Sequence, residues 1–94
     1  MQYFIGVVHH DEGSAYGVYF PDIPGCFSAA DSQDRIVPNA AEALGLHFDA
    51  LEIPLARDIS IIRRLPDVQA ELEQGATLIA VPYDHLAHHA EEGL

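Results

Sequence analysis

The stretch YFPDIPGCFS, residues 19–28, places the chain's single cysteine, Cys26, near a carboxylate, Asp22, and six histidines are spread over the rest of the sequence. A thiol and a histidine make a nucleophile pair only when the imidazole lies within hydrogen-bond reach and a third group orients it. Nothing in the spacing sets His9, His10 or His47 beside Cys26 or supplies the orienting acid. Cysteine is also among the most buried residue types, so Cys26 reads as a small apolar filler and no catalytic residue is assigned. Metal-dependent hydrolysis would need several carboxylates converging on ions roughly 4 Å apart. Asp11, Glu12 and Asp22 fall in turns and the first strand is apolar throughout, so these acids predict neither a metal site nor a cofactor. In a helix, His85 would lie beside His88 and His89 as a transition-metal patch. A solvated tail is the simpler reading, and metal binding there stays open.

The unusual residues of the stretch have conformational uses instead. Pro21 has no N–H for a ladder and ends a strand, Asp22 can bond its own backbone in an Asx-turn, and Ile23 is held extended by the proline after it. Pro24 and Gly25 suit the central positions of a type II turn, where the proline presets φ and the glycine supplies positive φ. Phe20, Pro21, Asp22, Pro24, Gly25 and Cys26 are therefore read as a rigid connection between two strands.

The elements that would hold this corner follow from hydrophobic periodicity. Residues 2–9 alternate Tyr3, Ile5 and Val7 with Phe4, Gly6 and Val8; residues 15–20 put Tyr16, Val18 and Phe20 on one side; residues 26–30 form a third short strand. Short turns between them predict an antiparallel meander. From Ser32 the period changes, and Val37, Ala41, Leu44, Phe48 and Leu51 form a helical stripe, capped by Ser32 or Asp34 and ended by Pro54. Pro38 falls past the first turn, so the start is expected to kink or the regular helix to begin at Pro38 itself. A second helical stretch from about Asp58 to Gln74 is broken at Pro66 and stopped by Gly75. Residues 76–83 form the last strand, and DHLAHHAEEGL follows.

Ninety-four residues make one small domain with a thin core. Fifteen acidic against four basic residues give a net charge of −11, which repels nucleic acid and anionic membranes and attracts basic partners. A lone cysteine suits a reducing cytoplasm, and the start carries neither a basic nor a long apolar leader. Arg57, Arg63 and Arg64 cluster on the second helical stretch, as a surface patch answering Asp58 and Asp67. A sheet with apolar residues on both faces and one main helix to cover it predicts a homodimer or higher homo-oligomer.

Residues 16–51 resemble the N-terminal domain of HicB-type antitoxins, whose pattern is an aromatic-rich strand, F-P-D-L-P-G-C, a Thr or Ser, Gly-Asp, and a helix of the form N-A-x-E-A-L-x-L-H. Phe20, Pro21, Asp22, Pro24, Gly25, Cys26, Ser28, Asp31, Asn39, Ala40, Glu42, Ala43, Leu44 and His47 fall in register. Ala30 stands where the family usually has glycine, and Pro38 where it usually has a helix former. The resemblance implies an α+β, partial RNase H-like fold of order β-β-β-α-(α)-β: a three-stranded meander, a helix, a further helical stretch and a final strand. It implies the antitoxin of a type II toxin–antitoxin system, non-catalytic, neutralising a small basic HicA-type mRNA-cleaving toxin. Residues 1–84 would be the antitoxin domain and 85–94 a short polar tail, too brief for the C-terminal DNA-binding module of autoregulating members, so direct DNA binding by this chain alone is not expected. The competing readings are a stand-alone oligomeric module of the same fold and a metal-dependent nuclease or hydrolase.

Overall fold

The computed structural model describes residues 2–48 and 53–83. Strands β1 (Gln2–His10), β2 (Tyr16–Tyr19) and β3 (Phe27–Ala30) lead into helix α1 (Gln33–His47), then the short helices α2 (Ile59–Ile62) and α3 (Pro66–Glu73), and strand β4 (Thr77–Tyr83). The sheet order is β3-β2-β1-β4, and every neighbouring pair is antiparallel. The meander is the expected one, and β4 returns to the far side of β1 with Val8 opposite Thr77 and Gln2 opposite Tyr83.

Because strand side chains alternate, β1 feeds two cores. Phe4 and Val8 join Val18, Phe20, Leu44, Phe48 and Val81 beneath α1. Ile5 and Val7 pack with Ile62 of α2 and Val68 of α3 on the opposite face. The sheet thus lies between two helical layers, and the expectation of a single covering helix is corrected: two helices too short to show a long stripe close the second face. Gly6 permits the close approach within the first layer, since a Cβ there would meet Val18 Cγ1 at 2.9 Å and Ile79 Cγ1 at 3.3 Å.

Helix α1 departs from the expected stripe. Its buried positions are Ile36, Ala40, Leu44 and Gly45, followed by Phe48, while Val37 and Ala41 are half-buried and Leu51 lies outside the described residues. A strict spacing of four puts Ala40, fully buried, against the sheet, where a small side chain lets the helix approach closely. Nor does the helix begin at Pro38. It starts at Gln33 with Pro38 inside it, its first turn closed by Arg35 N–H donating to Ser32 O at 3.1 Å. Pro38 is exposed, so the Asp34 carbonyl that it cannot serve lies on the side open to water. Ser32 is the N-cap by position, but its hydroxyl bonds the Asp34 carboxylate, which lowers that carboxyl below its usual range. The helix ends at His47, before Pro54. Leu65 caps α3 with Pro66 in its first turn, and Gly75 follows it at φ +102°. Asn39 Nδ2 donates to Ala29 O at 3.0 Å, so α1 also hydrogen-bonds the outer strand β3.

Candidate functional site

The corner between β2 and β3 consists of two successive turns. Ile23 N–H donates to Phe20 O at 3.0 Å with Pro21 second in the turn; Cys26 N–H donates to Ile23 O at 3.1 Å with Pro24 second and Gly25 third. Gly25 has φ +86°, the conformation that a type II turn requires at that position and that glycine adopts without steric cost. Ile23 and Cys26, each 3% exposed, point into the core beneath α1 and pin the corner.

Asp22 does something other than the expected Asx-turn. Its carboxylate accepts from Arg57 N–H at 2.8 Å and from Arg57 Nε, joining the corner to the segment that leads into α2. The Asp22 side chain is only 7% exposed, so the pair is shielded from solvent on its acidic side. Arg57 therefore answers Asp22, not Asp58, which caps α2 by accepting from Ser60 N–H at 2.9 Å.

Cys26 and His47 line one shallow groove beside Phe27 and Leu46, yet no hydrogen bond joins them among the described residues. Burial pushes the Cys26 thiol up, the opposite of what an attacking thiolate needs. His47 is half-buried and packs edge-on against the Phe48 ring. Among the described residues, no three of His, Cys, Asp and Glu come together as metal ligands, and His85, His88 and His89 lie outside those residues.

On the other flank of the corner lies a larger groove of about 520 Å³, walled by Tyr19, Pro21, Pro24 and Phe27 on one side and by Leu65–Val68 on the other. Among the described residues lining it, Asp67 alone carries a charge. The two walls are tied together beside it: Tyr19 OH donates to Glu71 Oε2 of α3, and His9 Nε2 lies 3.3 Å from Glu71 Oε1. Burial raises the Tyr19 hydroxyl above its ordinary value, and the Glu71 hydrogen bond and the Glu71 and Asp67 charges push it further the same way. Sequence reasoning missed His9, Tyr19, Asp67 and Glu71 as a group. Tyr19 and Glu71 are 52 residues apart, and no periodicity links a strand to a helix across that distance.

The sequence profile described as the HicB_like antitoxin of bacterial toxin-antitoxin system matches residues 3–91. The chain belongs to this family. Of solved structures, a chain of the HicA3 and HicB3 toxin-antitoxin complex is similar to it with a TM-score of 0.71 and 27% identity, over 87% of this chain and 98% of that one. The antitoxin HicB of Burkholderia pseudomallei matches with a TM-score of 0.74 and 28% identity, over 90% of this chain and 65% of its own. A 14.9 kDa protein from the rep-hol intergenic region of Haemophilus phage HP1 is 32% identical over 82 residues, 82% of this chain. The HicB-like chain spans 59% of that phage protein's length. The α+β fold of the resemblance and its antitoxin family are thus both found. In that light the Phe20–Cys26 stretch of this HicB-like domain is a corner of two turns, with Phe20, Ile23 and Cys26 buried in the core beneath α1.

Proposed function

We propose that this HicB-like chain is an antitoxin that neutralises a HicA-type toxin by binding it, without catalysis of its own. The observation that carries the reading is the match to the antitoxin family over residues 3–91, together with near-complete coverage of a chain from a HicA3–HicB3 complex. The net charge of −11 supports it, because a protein that holds RNA presents basic groups to phosphates and an acidic partner competes for that surface. Among the described residues no helix is long and apolar enough to cross a membrane, and the proposed place of action is the cytoplasm. Four arginines and no lysine leave little to contact a duplex, so direct DNA binding is not part of the proposal for this chain. Self-association to a dimer belongs to the same proposal as a second equilibrium, to be read by light scattering.

The test is co-expression with a HicA-type toxin, followed by affinity capture at low salt and measurement of growth with and without the antitoxin. Capture and growth rescue are the expected result. Two folded proteins that fail to associate at low salt would overturn the reading.

A further inference from the structure

We infer that the groove between the β2–β3 corner and the α2–α3 segment is the surface on which this domain receives its basic protein partner, taking an apolar side chain on its floor and an adjacent lysine or arginine at Asp67. The inference rests on the antitoxin reading and adds the site. The groove has the composition of a docking surface: prolines and aromatics line it, and its floor is apolar. One wall is stiff: it is the double turn that Pro21, Pro24 and Gly25 fix, so on that side little ordering remains to be done on binding.

Phe27 is 71% exposed at the mouth, an unusual position for a large ring and a ready platform for an aliphatic stem or a cation. Long basic side chains lay their methylenes along apolar surface and hold the charge at its edge, which matches a groove with an apolar floor and one exposed carboxylate. Arg63 and Arg64 are exposed nearby but do not line the groove. Glu71 and Asp67, the charges that act on the Tyr19 hydroxyl beside the groove, are both acidic, which is the sign that a basic partner needs. The whole-molecule charge of −11 acts in the same direction during encounter.

The experiment measures affinity of the full chain for its HicA-type partner, comparing wild type with Asp67→Lys, Phe27→Ala and Glu12→Lys. Glu12 is exposed in the turn between β1 and β2, at the opposite end of β2, so Glu12→Lys makes the same change in net charge away from the groove. Asp67 and Phe27 are themselves exposed, and circular dichroism should report native folding in all three variants. The expected result is a loss of about tenfold or more for Asp67→Lys and for Phe27→Ala, with Glu12→Lys within about threefold of wild type. Equal losses in Asp67→Lys and Glu12→Lys, or unchanged affinity in Phe27→Ala, would overturn the groove while leaving the antitoxin reading in place. A change in self-association without a change in partner affinity would assign the groove to a second copy and equally overturn the inference. Failure of the wild-type chain to bind any such partner would remove the antitoxin reading, and the groove's occupant with it.

Discussion

The two faces of the sheet are closed by different means. Under α1 the closure is an apolar core with the Asn39–Ala29 hydrogen bond at its edge: Phe4, Phe20, Leu44 and Val81 are buried to within 2% exposure and Phe48 is set between the Phe4 and Tyr83 rings at 5.5 and 5.1 Å. Under α2 and α3 a smaller set, Ile5, Val7, Ile62 and Val68, is supplemented by the polar clasp from Tyr19 and His9 to Glu71. Length explains part of the contrast. Helices of four and eight residues are too short to persist without packing, whereas α1, at fifteen, holds more of its own structure. The α1 layer should therefore be the more stable unit, and the α2–α3 layer, which forms one wall of the groove, should open first.

The largest effect should come from truncating matched aliphatics on the two faces. Leu44 and Ile62 are both fully buried, yet Leu44→Ala should cost about 4–5 kcal/mol and Ile62→Ala about 2–3 kcal/mol, because a short helix between loops collapses onto a cavity more readily than a long one locked to the sheet. Chemical denaturation measures both. Equal costs would dissolve the distinction between the layers. Amide exchange should show the same order, with α3 exchanging before α1.

A second comparison concerns the corner, which belongs to the α1 core through Ile23 and Cys26 but borders the groove. Gly25→Val forces a β-branched residue to φ +86° and should cost about 1–3 kcal/mol, read as a lowered melting temperature. A Cβ at Gly25 meets only His47 Cε1 at 4.0 Å, so the cost is backbone strain and not a clash, and because Gly25 lines the groove, partner affinity should fall with it.

The smallest effect separates the faces by pH. Burial first, then the Glu71 hydrogen bond and the acidic charges, raise Tyr19 above its ordinary value of 10; burial raises Cys26 above its ordinary 9. A folded-state value above the unfolded one means a contribution fully present below the unfolded value and lost as pH climbs past it. Stability should thus begin to fall near pH 9 from the α1 side, where Cys26 lies, and fall further beyond pH 10 from the α3 side. Tyr19→Phe should flatten the second phase alone, in denaturation midpoints taken across that range. A variant that retains both phases would show that the clasp contributes nothing to the alkaline limb.

Where the reading from sequence succeeded, the signals were local. Pro24 and Gly25 announced their turn because ring closure and the missing Cβ act within one residue, and Pro66 and Gly75 marked helix ends for the same reason. The helix stripe was displaced by one position at its N-terminal end. Leu44 and Phe48 are compatible both with Ile36 and Ala40 and with Val37 and Ala41, and only docking on the sheet chose the former pair. Asp22 is similar: as a turn residue it has a local partner available, and the arginine 35 residues later took the carboxylate instead.

What the sequence determined by itself, then, is whatever a residue's own sterics or its immediate neighbours dictate: the order of strands and helices, the turn at Pro24–Gly25, and enough motif in register to indicate the HicB-like family. The tertiary structure decided which face of α1 is buried, that α2 and α3 make a second layer over Ile5 and Val7, and that Tyr19, His9 and Glu71 meet beside a groove edged by Asp67. Those outcomes depend on strand register and on contacts between segments far apart in the chain, where small differences in packing among many compatible pairings select one.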